Sequence, residues 1–148
     1  MATPENQKKI MWLSRYRSIC RQLRSKYEEL EKTRTLETKV TQTLSDMPHG
    51  SSGENSIETG TEKVLEIESQ IIDEIKQLSV VRSEIENAIQ TVPEGQYREL
   101  MERRYIMGQS WERISVEMHY DSIGKNVFKI HGKALMLLKV DTQLHLSA

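Results

Sequence analysis

The sequence predicts an all-α protein: a long, antiparallel, coiled-coil-like helical hairpin followed by a three-helix helix-turn-helix unit. Only 36% of the 148 residues are hydrophobic and 5% aromatic, whereas 29% are charged. A thick core around a deep cleft is therefore hard to build. Glycine (7) and proline (3) are scarce, as in long-helix proteins. Apolar residues recur at steps of three and four along most of the chain, which indicates helices.

The first helix is expected to start at Thr3, because threonine caps helices and Pro4 fits the first helical position. An apolar stripe then follows one helical face, formed by Leu13, Tyr16, Cys20, Leu23, Tyr27 and Leu30. The stripe weakens at residues 33–35. It resumes out of phase with Leu36, Val40 and Leu44, as after a stutter in a coiled coil.

Residues 45–60 hold three glycines, a proline and several small polar residues, which predicts a loop. Thr59 and Glu62 form a candidate capping box for the next helix. Its apolar positions repeat every seven residues with others between them: Val64, Ile67, Ile71, Ile75, Leu78, Val81, Ile85, Ile89 and Val92. We expect residues 1–92 to fold back as one hairpin domain, and the same stripe is a candidate seam for a homodimer.

The formal net charge of −1 conceals an uneven distribution. Residues 1–45 hold ten basic and five acidic side chains, residues 46–92 three and ten, and residues 93–148 eight and seven. The basic run from Lys8 to Lys26 is able to attract phosphate. We favour the alternative, in which the acidic second helix neutralises the basic first one.

Residues 93–148 are expected to form the second domain, because the pattern shortens after Pro93. A helix over 94–107 is predicted to end at Gly108, which suits a left-handed stop. Ser110 is a candidate cap for a helix over 111–118, and Trp111 is expected to be a packing anchor in preference to a base-stacking residue. A turn over 119–122 leads to a third helix over 123–138, as in a helix-turn-helix unit.

The third helix has two predicted faces. Val127, Ile130, Ala134 and Leu137 are expected to face the core, whereas lysines recur every four residues on another side. Lysine contacts phosphate or guanine, and asparagine contacts adenine in a major groove; the alternative is a merely solvated face. The candidate DNA-binding residues are Ser110, Arg113, Ser122, Lys125, Asn126, Lys129 and Lys133, with Ser110 and Arg113 on flanking phosphate.

Residues 93–148, which we call the tail, carry an ordered set of motif residues: Pro93-Glu94, Arg104-Tyr105, Gly108, Ser110, Glu112, Ile114, Ser115, Val127, Ile130 and Ala134-Leu135. Over this stretch the chain resembles region four of primary sigma factors, a helix-turn-helix that reads the upstream promoter element. Two further features are a Ser-Asp-Met-Pro and Gly-Ser-Ser-Gly stretch at 45–53 and the pair Ile130-His131. With them, nearly the whole chain is similar to a family of small proteins from temperate phages and prophages of Gram-positive bacteria. The resemblance implies regulation of phage late-gene transcription.

The sequence departs from this family pattern in the turn. His119 stands where glycine is usual, and six residues separate Tyr120 from Val127, more than the family pattern has. We therefore expect the third helix to begin late and to present Lys125 and Asn126 from its first turn. Ser115 is small, as close packing of the last two helices requires, so a large residue there is expected to break the unit.

Other chemistry is not expected. Cys20 is the single cysteine, which excludes an internal disulfide and a cysteine-rich zinc site. The four histidines are far apart, with His131 expected on the rim of the third helix, and residues 50–53 lack the lysine of a phosphate loop. The longest apolar run, residues 134–138, is too short to span a bilayer, and Ile10–Leu13 is too short for a secretory signal. We expect a cytoplasmic protein that is not an enzyme and has no cofactor or metal.

These observations predict a sequence-specific DNA-binding regulator of transcription, and the family resemblance makes it a phage late-gene activator. Its expected partner is double-stranded DNA, read by the third helix. The hairpin is expected to hold either a second copy or an RNA polymerase subunit. The alternative is a helical assembly protein or a DNA-packaging accessory protein, in which the hairpin mediates protein–protein contacts.

Overall fold

The protein is all-helical, as predicted, over the residues that our computed structural model describes: 3–45, 51–120 and 125–140. Side chains are described for 3–39, 59–120 and 126–140. The elements are α1 (Pro4–Leu13), α2 (Arg15–Ser45), α3 (Ser51–Ile89), α4 (Gln96–Met101), a π-helical segment (Glu102–Ile106), α5 (Trp111–Glu117) and α6 (Lys125–Leu137). Among these described helices, none combines the length and the hydrophobicity that a membrane span requires.

The first helix begins where the sequence predicts. The Oγ1 atom of Thr3 accepts a hydrogen bond from the backbone N–H of Asn6 at 3.2 Å, and Pro4 is the first helical residue. A break that the apolar stripe does not signal separates α1 from α2 at Ser14. Its hydroxyl donates to the carbonyl of Ile10 at 2.7 Å, and such bonding to the preceding turn bends helices.

The predicted stripe on α2 is correct in part. Leu13, Tyr16, Leu23 and Leu30 are buried and Cys20 is half-buried. Two positions were predicted wrongly: Tyr27 is 51% and Leu36 62% exposed. Ile19 is buried instead, because it lies three residues after Tyr16 and four before Leu23, in the centre of the covered face. Val40 and Leu44 lie outside the described side chains.

The predicted loop is wrong for residues 51–60, which form the first turns of α3. A Cβ added to Gly60 would lie 3.6 Å from Cγ of Glu37, and the hydroxyl of Thr61 donates to Oε1 of Glu37 at 2.7 Å. These contacts with α2 favour a continued helix, although each glycine inside it costs about 1 kcal/mol. Residues 46–50 lie outside the described part of the chain.

The heptad pattern of α3 identifies its buried face. Most of the predicted positions are buried or half-buried; the buried ones are Ile67, Ile71, Val81, Ile85, Ile89 and Val92, the last just beyond the end of α3. The prediction fails at Ile75, which is 43% exposed. A pattern with four apolar residues per heptad is wider than the strip that one neighbouring helix covers.

By its contacts, the chain divides into two compact units. The two-segment unit comprises Met1–Ser18 and Leu78–Ala148, and the two-helix unit comprises Ile19–Gln77. This division differs from the predicted domain boundary after Val92. The predicted domains, residues 1–92 and 93–148, stay a prediction. Within the two-segment unit, α1 packs on α6, and the N–H of Lys139 donates to Oγ1 of Thr91.

The two-helix unit is held by polar pairs above a narrow apolar strip. Lys26 donates to Gln70 at 2.6 Å, Arg34 pairs with Glu68, and Thr61 donates to Glu37. From one pair to the next, the residue number in α2 increases while the residue number in α3 decreases. Beneath them lie Leu23, Leu30, Ile67 and Ile71.

The two-segment unit contains the short helices of the tail. The predicted stop at Gly108 is confirmed, since this glycine has a φ of +71°. The helix predicted over 94–107 begins at Gln96 and changes to π-helical geometry at Glu102, a change that the sequence pattern does not predict. Leu100, Met101, Ile114, Val127 and Leu135 are among the most deeply buried side chains here.

Candidate nucleic-acid interface

The inner face of α6 is shifted from the prediction. Val127, Ala134 and Leu138 are buried, as is His131, whereas Ile130 is half-buried and Leu137 is 39% exposed. The prediction that Leu137 faces the core is therefore wrong. Positions 127, 131, 134 and 138 are spaced by four, three and four, which is the spacing of one helical face. Because the buried residue at position 131 is polar, a search for apolar residues does not find this register.

The opposite face of α6 carries the predicted binding residues. Asn126, Lys129 and Lys133 are exposed and are spaced by three and four residues, so they lie on one side of the helix. Within the described residues, neither lysine takes part in a salt bridge. The side chain of Lys125, the first residue of α6, and the whole of Ser122 lie outside what the structure describes.

Ser110 and Arg113 lie together at the start of α5. Ser110 is the N-cap, as predicted, and its Oγ accepts a hydrogen bond from the backbone N–H of Arg113 at 3.2 Å. The guanidinium of Arg113 is not free: its Nε donates to Oε1 of Glu117 at 2.9 Å, although two thirds of the side chain is exposed. Such exposed pairs contribute at most about 1 kcal/mol, so a phosphate is able to compete for Arg113.

Glu117 also pairs with a second arginine, Arg103, which in turn pairs with Glu99 at 2.9 Å. The hydrogen bond from Arg113, together with the charges of both arginines, lowers the pKa of Glu117. This carboxylate therefore stays ionised and holds both guanidiniums. Arg103 and Arg113 are thus neutralised by neighbouring carboxylates, in contrast to Lys129 and Lys133 of α6.

The prediction that His131 lies on the rim of α6 is wrong, because the ring is buried. Its Nε2 is 2.7 Å from the hydroxyl of Tyr105, and the rings of these two residues are 5.8 Å apart. Burial, with a smaller contribution from the positive charge of Arg104, lowers the pKa of His131 to about 4. His131 is thus neutral at physiological pH and is part of the support beneath the exposed face.

Trp111 is a packing anchor, as predicted. Its ring centre lies 4.6 Å from that of His131 and 5.4 Å from that of Phe128, and the guanidinium of Arg104 lies 4.4 Å above it. The side chain is half-buried. The sequence gives no signal for this cluster, because its members come from the π-helical segment, α5 and α6 and meet only in the folded chain.

The end of α5 has the geometry that glycine usually adopts. His119 has a φ of +59°, in the left-handed region, and the N–H of Tyr120 donates to the carbonyl of Ser115 at 2.9 Å. Histidine is among the residues that adopt this region more readily than most. Ser115 is buried, as expected, and its Oγ is without a hydrogen-bond partner among the described residues.

Most of the basic run at the start of the chain is occupied by internal contacts. Lys9 is buried, and Arg15 donates to Glu84 of α3 at 2.8 Å. The guanidinium of Arg17 lies against Gly108, so closely that a Cβ added there would clash with it. The pair Arg15–Glu84 agrees with the favoured interpretation, in which acidic residues of α3 neutralise this run.

Among the described residues, no three histidine, cysteine, aspartate or glutamate side chains are grouped so as to hold a metal ion. The comparisons give no relative from which a role could be transferred. The sequence matches no protein-family model, and it has no significant match among curated proteins or solved structures.

Proposed function

We propose that this chain is a sequence-specific DNA-binding regulator of transcription in which α5 and α6 act as a helix-turn-helix and α6 enters the major groove. The observation that carries the proposal is the outer face of α6. There, exposed Asn126, Lys129 and Lys133 share one side of a helix whose other side is buried. An α-helix fits the major groove, and these side chains are suited to phosphates and base edges.

The roles of the individual residues follow from their chemistry. Lys129 and Lys133 contact phosphate or guanine, and the amide of Asn126 pairs with adenine. Lys125, at the first position of α6, adds a further cation. Arg113 reaches a flanking phosphate by leaving Glu117, and Ser110 and Ser122 complete the set of contacts.

The charge of α6 supports groove binding more than the charge of the whole chain does. The net charge is −1, so long-range attraction of the entire protein to DNA is weak. Binding must therefore depend on a local cationic surface. Lys129 and Lys133 are suited to this, because neither has a carboxylate partner within the described residues.

In this proposal α2 and α3 form an antiparallel hairpin. The order of the pairs Lys26–Gln70, Arg34–Glu68 and Glu37–Thr61 supports that direction. The hairpin holds a second copy or an RNA polymerase subunit at a fixed spacing from the promoter. The resemblance to phage regulators makes late-gene activation in the bacterial cytoplasm the expected role.

The test is binding to a mixed-sequence DNA duplex between about 50 and 200 mM salt, where phosphate contacts dominate the salt dependence. We expect Lys129→Ala to weaken binding and to lower the logarithmic salt slope by about one. The matched control is Lys76→Ala, an exposed lysine of α3, which should leave both quantities unchanged. Equal affinities and slopes for wild type and Lys129→Ala would contradict groove binding by α6.

A second candidate function is supported by the exposed apolar residues of α3. Leu65 is 60% and Ile72 54% exposed, and both lie in the two-helix unit. An assembly or DNA-packaging accessory protein would use such residues for protein–protein contacts. In that case Ile72→Glu would reduce the particle mass in light scattering, and Lys129→Ala would leave duplex binding and its salt slope unchanged.

A further inference from the structure

Lys9 of α1 is a buried lysine that the proposed DNA contacts do not use. Lys9 is only 8% exposed. Lysine is almost never buried without a partner, because removing an ammonium from water is very unfavourable. Its burial here requires strong acceptors.

The acceptors are two backbone carbonyls at the carboxyl end of α6. The Nζ atom donates to the carbonyl oxygen of Leu135 at 2.8 Å and to that of Leu138 at 3.0 Å. The last carbonyls of a helix have no partner within the helix, and they carry the negative end of its dipole. Lys9 therefore satisfies both the hydrogen-bonding capacity and the charge of this helix end.

This cation comes from the opposite end of the sequence, 126 and 129 positions away. The last turn of α6 has no basic residue of its own. Lysine or arginine commonly fills this role from within the same helix. In this chain α1 supplies it, so the orientation of α6 depends on α1.

Neighbouring contacts make the attachment rigid. Trp12 and Leu13, three and four residues after Lys9, are buried with it. Just after α6, the N–H of Lys139 donates to Oγ1 of Thr91, which follows the end of α3, at 2.9 Å. The carboxyl end of α6 is thus fixed by both segments of the two-segment unit.

We propose that Lys9 is a positioning residue for DNA recognition: it holds the end of α6 so that Asn126, Lys129 and Lys133 keep one orientation toward the duplex. This inference rests on the proposed function. It makes α1 a required part of the DNA-reading unit, although α1 touches no base or phosphate.

The experiment compares Lys9→Met with Lys8→Met, which removes the same charge from an exposed neighbour on α1. The probe is a mixed-sequence duplex, and amide hydrogen exchange is measured in α6 of the free protein. We expect Lys9→Met to bind about tenfold more weakly and to exchange faster in α6, with an unchanged salt slope because no phosphate contact is lost. Lys9→Arg, which keeps the charge and the donors, should recover most of the affinity.

Faster exchange in Lys9→Met with unchanged affinity would overturn this inference and leave the proposed function intact. A wild-type protein that does not bind the duplex would overturn the proposed function and, with it, the role of Lys9 in recognition. In that case the exchange rates would still report the contact between Lys9 and α6. If Lys9→Met does not fold, Lys9→Gln, which keeps a donor without the charge, takes its place with the same expected results.

Discussion

The two-segment unit and the two-helix unit differ in how deeply they bury their side chains. Nearly all of the large side chains with the lowest exposure belong to the two-segment unit, among them Leu13, Ile85 and Leu100. Among the described side chains of the two-helix unit, only Ile67 reaches that level. Two paired helices cover one strip of each other, whereas in the two-segment unit α6 packs against α1, α4 and α5, and the π-helical segment packs against α4 and α5.

The comparison teaches that this small chain concentrates its described core in the unit that contains α6. Close packing fixes the orientation of an element because interiors have few voids and resist deformation. The exposed lysines of α6 therefore stand on the best-packed part of the molecule. The two-helix unit has fewer deeply buried side chains among those described.

The largest expected effect tests this difference in burial directly. Leu100→Ala should lower the free energy of unfolding by about 4 kcal/mol, because the residue is 0% exposed and leaves a cavity. Leu30→Ala in the two-helix unit, at 7% exposure, should cost about 2 kcal/mol, since fewer surrounding atoms lose contacts. Urea unfolding followed by circular dichroism measures both. Equal losses would contradict the comparison.

The next effect concerns pH, through His131. Its pKa falls from 6.5 in the unfolded chain to about 4 in the folded one, so the unfolded state binds more protons between these values. Stability contributed by the neutral ring is present above pH 6.5 and is lost as the pH falls toward 4, by about 3 kcal/mol.

The measurement is the free energy of unfolding at several pH values for wild type and for His131→Gln, which does not titrate. The difference between the two proteins removes the contribution of carboxylates such as Glu117. We expect the advantage of the wild type to shrink steadily from pH 6.5 to 4. A constant difference over this range would show that the histidine is not buried in its neutral form.

The smallest of the three effects concerns the contact at Ser115. Ser115→Leu should destabilise the two-segment unit by about 2 kcal/mol, because a buried position without free volume must expand. Ser115→Ala is the control: it keeps the small volume and removes a buried hydroxyl that has no partner among the described residues, so it should be neutral or slightly stabilising. Thermal unfolding compares them, and a tolerated leucine would refute close packing here.

The sequence predicted the features that local chemistry determines. The cap at Thr3, the left-handed stop at Gly108, the cap at Ser110 and the exposed lysines of α6 are all present. Each depends on one residue type and its immediate neighbours. The all-helical composition follows for the same reason, since periodicity is a local signal.

The predictions that failed concern features that distant residues determine. Residues 51–60, predicted as a loop, belong to α3, which is joined to α2 by the hydrogen bond from Thr61 to Glu37. The rings of Tyr105 and Trp111 lie against the buried ring of His131. Lys9 belongs to the predicted basic run, but its ammonium is buried against carbonyl groups at the end of α6. The sequence around a polar residue does not identify the distant partner that makes its burial favourable.

The π-helical segment Glu102–Ile106 contains one more residue than an α-helix needs to cover the same turn. It directs Tyr105 toward His131 and Arg104 toward Trp111. Because a π-helical turn accommodates one extra residue, loss of the codon for Arg104 would restore α-helical winding without rotating the residues that follow. Such a deletion would remove the contact between Arg104 and Trp111 and leave the final helix in its present direction, with almost no change in composition.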